Sequence, residues 1–137
     1  MSGNVGTGDH APEKIIRDMF AMFTDFGSDL DALTAFMTPD YRQLVDGREM
    51  TLADFRAHAL ALREGLSSLE IEILHLVCEA DRAATVHLAS ATRPSGVRSV
   101  IRVVAFYQFR DGRLCLVDEL TRVQHGHDGD DALGSLQ

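Results

Sequence analysis

The first part of the chain repeats apolar residues at the three- and four-residue spacing of an amphipathic helix. The repeat follows Pro12, which suits the first position of a helix, and is expected to end near Gly27. A second, short helix is predicted between Ser28 or Asp29, either of which can cap it, and Pro39. The apolar positions of the first helix are Ile15, Ile16, Met19, Phe20, Phe23 and Phe26.

A short strand and a third helix are predicted next. Residues 41–45 form the strand candidate, which turns at Asp46 and Gly47. Thr51 is a good N-cap for the third helix, although Asp54 occupies the capping-box position that Glu or Gln normally fills, so the box is expected to be imperfect. The helix carries Leu52, Phe55, Ala59 and Leu62 and is expected to end near Gly65.

After the third helix the apolar period changes from about 3.6 to 2, which indicates strands. Turn signals at residues 94–96 (PSG) and 111–112 (DG) separate the later segments. Helices followed by an antiparallel meander predict an α+β fold, with three helices packed on one face of a curved sheet. The four predicted strands cover residues 69–78, 83–92, 97–109 and 114–123.

The pattern also predicts the limits of a single domain over residues 13–123. Residues 1–12 and 124–137 are rich in small and polar residues and carry no periodic apolar positions. We therefore expect a mobile N-terminal arm and a mobile C-terminal tail on either side of the domain.

The predicted strand over residues 97–109 is apolar on both faces, which favours cover on both sides. Three helices can cover one face of the sheet, and little chain remains for the other. The simplest cover is a second copy of the chain, so we expect a homodimer formed sheet against sheet. The two faces of the strand carry Ile101, Val103, Ala105, Tyr107 and Phe109 on one side, and Val100, Val104 and Phe106 on the other.

Composition narrows the function classes without naming one. The 137 residues include 13 basic and 21 acidic side chains, for a net charge of −8, which disfavours nucleic acid and anionic membranes as partners. No apolar run reaches the roughly 18 residues of a membrane span. Cys78 and Cys115 are expected to be reduced thiols in the core. With no signal-peptide pattern at the N-terminus, we expect a cytoplasmic protein.

The order of elements resembles the nuclear-transport-factor-2-like superfamily, in particular its SnoaL-like polyketide cyclases and ketosteroid isomerases. Two segments carry the resemblance, residues 41–47 (YRQLVDG) and residues 109–114 (FRDGRL). The resemblance covers roughly residues 13–123. It implies a cone of curved sheet wrapped by three helices, with a small-molecule pocket between them and frequent homodimers.

Glu119 is the first candidate for acid/base chemistry. The resemblance implies an acidic residue on the last strand, and Glu119 lies eight residues after Asp111 of the Asp-Gly turn. Its alternation partners are mainly apolar, and an apolar setting raises the pKa of a carboxyl group into a useful range. A rim position, or pairing with Arg102, is the alternative for Glu119, and Asp118 is the rival acid.

Two histidines are candidate partners of that acid. His58 lies on the buried stripe of the third helix, three residues after Phe55, and His87 lies mid-strand beside small residues such as Thr85. The alternative for each is a histidine satisfied within the core. His75 shares the parity of apolar neighbours and is interpreted as packed or at an interface.

Tyr41 and Gln43 share one face of the short strand and are candidate donors to a ligand carbonyl or enolate. A tyrosine that only packs at the mouth of the cone is the alternative. Glu119, His58 and His87 could form a two-histidine, one-carboxylate set only if the fold brought them together, so no metal or cofactor is expected.

The sequence therefore predicts a SnoaL-like small-molecule pocket protein. The leading hypothesis is a cofactor-free isomerase or cyclase that uses acid/base proton transfer on an apolar carbonyl compound. Glu119, His58 and His87 would be catalytic, and Tyr41 and Gln43 would bind the substrate. The alternative is a binding or accessory module of the same fold that performs no chemistry.

Overall fold

The computed structural model describes residues 7–125, with the side chains of residues 11–124. In that range the chain forms three helices and six strands. The helices are α1 (Thr7–Thr24), α2 (Leu30–Thr34) and α3 (Leu52–Gly65). The strands are β1 (Met37–Val45), β2 (Arg48–Thr51), β3 (Ser68–Glu79), β4 (Arg82–Thr92), β5 (Arg98–Arg110) and β6 (Arg113–His125).

The strands form one mixed, curved and unclosed sheet in the order β2-β1-β6-β5-β4-β3. The antiparallel meander predicted from the sequence is confirmed by the pairing of β3 with β4, β4 with β5 and β5 with β6. Strand β1 joins the far side of β6 in parallel, and β2 pairs with β1 as a hairpin. The α+β fold class is confirmed, and the parallel pair brings residues of the first strand beside the last one.

The helices cover one face of this sheet. Helix α1 packs over β3 and β4, α3 packs against β1 and β2, and α2 joins the two helices. The inward residues of β5 are buried, whereas Val104 and Phe106 on its other face are 50% and 39% exposed. The core therefore lies between helices and sheet, and the single chain leaves the outer face of the sheet open to solvent. No helix among residues 7–125 has the length and apolar character needed to cross a membrane.

The structure corrects the predicted start of the first helix. Helix α1 begins at Thr7, so Pro12 lies inside it rather than at its first position. A proline inside a helix removes one intrahelical hydrogen bond, and its ring crowds the carbonyl four residues earlier. The predicted arm thus overlaps α1 at residues 7–12, while residues 1–6 and 126–137 lie outside the described range. The mobility of both ends stays a prediction.

The first strand also begins earlier than predicted. Strand β1 starts at Met37 and includes Pro39, which was expected to mark only the end of the second helix. The pairing of β1 with β6 is irregular between Met37 and Arg42, so Pro39 lies where ladder hydrogen bonds are interrupted.

Two bulges break the strict alternation on which the strand interpretation relied. On β3 the register shifts between Ile73 and His75, so Leu76 and Cys78 contact the core, while His75 is exposed. Of the two alternatives for His75, the packed one is therefore wrong, and a place at an interface stays a prediction. On β6 the register shifts near the Asp-Gly turn, and Leu114 is fully buried although its parity is that of the exposed Asp118.

The start of α3 is fixed by a complete capping box. The Asp54 backbone N–H donates to Thr51 Oγ1 at 3.2 Å, and the Thr51 N–H donates to Asp54 Oδ2 at 3.0 Å. The expected imperfection is therefore wrong, because an aspartate reaches the N-cap amide as a glutamate would. The cap sets the phase of a helix that buries Phe55, His58 and Leu62.

We predict that Thr51→Ala lowers the free energy of unfolding by about 1 kcal/mol, because it leaves an N-terminal amide of α3 without its side-chain acceptor. Chemical denaturation measures the change. Thr51→Ser keeps the acceptor oxygen and is the control; a loss as large in Thr51→Ser would show that the methyl group, not the cap, is responsible.

Candidate functional site

A cavity of about 110 Å³ lies between the inner face of the sheet and helices α1 and α3. It is lined mainly by apolar and aromatic side chains from all layers of the fold. All five residues singled out from the sequence line this cavity: Tyr41, Gln43, His58, His87 and Glu119. The structure therefore brings the five side chains to one cavity.

A first chain of hydrogen bonds runs from β1 to β6. The Tyr41 hydroxyl donates to Gln43 Oε1 at 2.8 Å, and Gln43 Nε2 donates to Glu119 Oε1 at 3.1 Å. The parallel register places Val45 beside Glu119 and Gln43 beside Val117, so the amide reaches the carboxyl group diagonally. Tyr41 and Gln43 are therefore engaged with the acid itself.

The carboxyl group of Glu119 has an unusual proton affinity. The pKa of Glu119 is raised from 4.5 to about 7, chiefly by burial; the hydrogen bond from Gln43 opposes this rise, and the nearby carboxylates of Asp46 and Asp118 add to it. Near neutral pH this group is therefore present both with and without its proton, as proton transfer requires.

Of the two candidate acids on β6, Glu119 is the one that lines the cavity, while Asp118 is exposed on the other face. Arg102 lies on the outward face of β5, opposite Arg122, so the alternative of a Glu119–Arg102 pair is not seen.

The backbone of Glu119 is held by the turn between β1 and β2. Asp46 and Gly47 have φ values of 51° and 86°, as their Asp-Gly sequence predicts. The Asp46 N–H donates to the Glu119 carbonyl at 2.9 Å, and the Asp46 carboxylate accepts from the Thr121 N–H at 2.9 Å and from its hydroxyl at 2.5 Å. The turn therefore fixes β6 on both sides of the acid.

A second chain of hydrogen bonds lies on β4 and β5. Thr85 Oγ1 is 2.8 Å from the Tyr107 hydroxyl and 2.9 Å from His87 Nδ1. Ala105 stands opposite both Thr85 and Glu119, so the two chains of hydrogen bonds face each other across one small side chain. Sequence reasoning treated Tyr107 as apolar and Thr85 as a small neighbour; the missed signal is that a buried phenol needs a polar partner.

Both candidate histidines are buried against aromatic rings. His87 lies 4.9 Å from the ring of Phe20, and His58 lies 6.4 Å from the ring of Phe23, measured between ring centroids. Burial lowers the pKa of each imidazole from 6.5 to about 4. At neutral pH each is an uncharged ring that offers one N–H donor and one nitrogen acceptor.

The three titratable side chains do not form a metal site. Among residues 7–125 no group of three His, Cys, Asp or Glu side chains is arranged to hold a metal ion. The register places His87 two strands and two residues from Glu119, or about 12 Å between their Cα atoms by ordinary sheet spacings. The two groups therefore face a common space, which a bound molecule would span.

The far end of the cavity is apolar. Leu62 and Leu66 of α3 and its following loop meet Leu69 of β3 and Ala91 of β4 there. Ala91 lies four residues beyond His87 along β4, a distance of about 13 Å. The cavity is thus polar around Glu119 and His87 and apolar at its other end.

Comparisons with known proteins agree with this architecture. A family model described as the SnoaL-like domain matches residues 16–117. An uncharacterized protein of Schizosaccharomyces pombe is 55% identical over 125 residues, which cover 91% of this chain and 96% of that protein.

Solved structures share the fold at low sequence identity. AclR of Streptomyces galilaeus has a TM-score of 0.73 at 20% identity, over 83% of this chain and 90% of that chain. A Catenulispora acidiphila protein with a ketosteroid isomerase-like fold, in complex with trimethylamine, has a TM-score of 0.65 at 13% identity, over 77% and 82%. An LEH-like epoxide hydrolase of M. tuberculosis has a TM-score of 0.65 at 14% identity, over 84% and 82%.

We predict that Glu119→Gln stabilises the protein at high pH and not at low pH. The folded state holds a proton on Glu119 between pH 4.5 and about 7 that the unfolded state has lost, so wild-type stability falls as the pH rises through this window. Glutamine removes this dependence, and we expect a gain that grows to as much as about 3 kcal/mol above pH 7.

Denaturation at pH 5 and pH 8 measures this difference. Glu72→Gln, which changes an exposed glutamate on β3, is the matched control and should show no pH-dependent gain. A Glu119→Gln variant with the same stability difference from wild type at both pH values would contradict a raised pKa.

Proposed function

Because this chain belongs to the SnoaL-like domain family, we propose that it is a cofactor-free isomerase or cyclase that transfers protons on an apolar carbonyl compound. The observation that carries the proposal is Glu119, a carboxyl group in an apolar cavity with a pKa of about 7. Such a group can take a proton in one step and return it in the next without help from a cofactor.

The proposed reaction begins when the Glu119 carboxylate removes a proton from the carbon next to the substrate carbonyl. The C–H electron pair moves into a C–C double bond, and the carbonyl oxygen becomes an enolate. In an isomerisation, protonated Glu119 returns the proton to another carbon. In an aldol-type cyclisation, the enolate carbon attacks a second carbonyl, and the resulting alkoxide takes the proton. Either route leaves Glu119 as it began.

The other polar side chains would support this step as neutral groups. The hydrogen bonds of Tyr41 and Gln43 lead us to propose that both orient the carboxyl group of Glu119, while the second N–H of the Gln43 amide can reach a bound substrate. His58 and His87 would donate to the developing enolate oxygen as uncharged imidazoles, which avoids burying a positive charge.

The shape of the cavity indicates the substrate class. A molecule with an oxygen function at one end and an apolar body would place its oxygen among the polar groups and its body against the leucines near Ala91. The acidic net charge of −8 is consistent with a small neutral ligand rather than a nucleic acid.

We predict that the protein exchanges the α-hydrogens of cyclohexanone or 1-tetralone with D₂O, measured by proton NMR at pH 7. Glu119→Gln should lower the rate at least about 100-fold, because the proton acceptor is lost. Glu72→Gln should leave it unchanged. Binding of these ketones without exchange above the buffer background would overturn proton transfer and favour the non-catalytic binding module.

We further propose a homodimer formed through the outer face of the sheet. Four exposed apolar side chains on this face support the proposal. Val104 of β5 lies opposite Leu120 of β6, and Phe106 lies two residues from Val104 on the same face of β5. Val77 of β3 extends this apolar patch toward the edge of the sheet. Leu120 and Val77 are 65% and 66% exposed in the single chain. Together with Val104 and Phe106 they form one apolar patch, whereas apolar residues on a protein surface are usually scattered singly. A contiguous apolar patch on a sheet favours a protein partner.

We predict that light scattering at micromolar concentration gives about twice the chain mass of 15.1 kDa. Leu120→Arg should reduce it to the single-chain value, because it buries a charge at the proposed contact. Leu60→Arg, on the exposed side of α3, is the matched control and should remain a dimer. A wild-type monomer would rule the contact out.

We also propose a cytoplasmic location. Cys78 on β3 and Cys115 on β6 lie on strands that are not neighbours and form no disulfide with each other, which suits a reducing compartment.

A further inference from the structure

The chain of hydrogen bonds that joins Tyr107, Thr85 and His87 has a direction. All three side chains are buried, with exposures of 1%, 2% and 5%. The Thr85 hydroxyl has one hydrogen and two acceptor lone pairs, so it can donate to only one of its two polar neighbours. A chain that uses this hydrogen donates to one neighbour and accepts from the other. Either the hydrogens point from Tyr107 toward His87, or they all point the opposite way.

Acid strength decides between the two directions. The phenol of Tyr107 is a stronger acid than the alcohol of Thr85, and an imidazole nitrogen is the strongest base of the three groups. The favoured chain runs from the best donor to the best acceptor. Tyr107 then donates to Thr85, and Thr85 donates to Nδ1 of His87.

We propose that Thr85 and Tyr107 are positioning residues that fix His87 as its Nε2–H tautomer, and that this N–H donates to the carbonyl oxygen of the substrate. The inference rests on the proposed function, because it assigns the hydrogen-bond donor of the same reaction. The inference goes beyond the proposed function because it names two positioning residues, the tautomer of His87 and the atom that contacts the substrate.

The position of His87 supports this role. Its ring lines the cavity, and Nε2 makes no hydrogen bond to the side chains or backbone that the structure describes, whereas Nδ1 is taken by Thr85. The ring packs against Phe20, which restricts its rotation. His87 stands opposite Val103 on β5, and Ala105, two residues further along β5, stands opposite Glu119. His87 and Glu119 therefore line the same cavity from a diagonal pair of positions, with room for a bound carbonyl compound between them.

The test is ¹⁵N NMR of the full chain with labelled histidine, at pH 7 and without ligand. The chain has six histidines, and the signals of His87 are those that disappear in the His87→Asn variant. These signals should show a protonated Nε2 and an unprotonated Nδ1. Thr85→Val should lose this pattern, and Thr85→Ser should keep it. Tyr107→Phe should raise the fraction of His87 protonated at Nδ1, because Thr85 loses the phenol that donates to it and can then accept from Nδ1 instead. A wild-type His87 protonated at Nδ1 would overturn the proposal, whether or not the variants fold.

The ketone exchange reaction supplies the functional half of the test. Thr85→Val should lower kcat for 1-tetralone at least about tenfold with little change in KM, since a donor to the enolate acts mainly in the transition state. Thr85→Ser should restore the rate. Full activity in a Thr85→Val protein that has lost the tautomer would overturn the role of His87. A wild type with the expected tautomer but no exchange would instead overturn the proposed function and leave the hydrogen-bond chain supported.

Discussion

The candidate site depends on one costly interaction. The carboxyl group of Glu119 is buried with an amide, instead of a cation, as its partner. A buried charge without a counterion is expensive, so the group holds its proton more tightly, and an arginine in place of Gln43 would have removed this property. The parallel pairing of β1 with β6 supplies the amide, and the Asp46 turn fixes the strand. Much of the fold around β1 can be understood as the support of this carboxyl group.

The same burial acts in opposite directions on the two kinds of titratable group in the cavity. It raises the pKa of an acid and lowers the pKa of a base, so Glu119 gains a proton while His58 and His87 lose theirs. At neutral pH the two imidazoles are therefore uncharged and Glu119 carries its negative charge only part of the time. The lining therefore carries little charge when a neutral molecule enters the cavity.

Local patterns allowed the sequence to predict the meander, the inward face of β5 and the inward direction of Glu119, because alternation holds wherever a strand is regular. The prediction from alternation failed at His75 and Leu114, because a bulge inverts the parity of the strand near each of them. A bulge depends on how two strands pair rather than on the sequence of either strand alone. The hydrogen-bond chain from Tyr107 to His87 was missed for a related reason. Thr85 and His87 lie on β4 and Tyr107 lies on β5, and only the register of the two strands brings Tyr107 beside Thr85.

Ala91 lies about 13 Å from His87 along β4, at the apolar end of the cavity. It belongs to neither of the two chains of hydrogen bonds. A larger side chain at this position would therefore shorten the space for a bound molecule and leave the acid and its hydrogen-bond partners in place. The length of the molecule that fits and the proton affinity of Glu119 can thus change independently of each other.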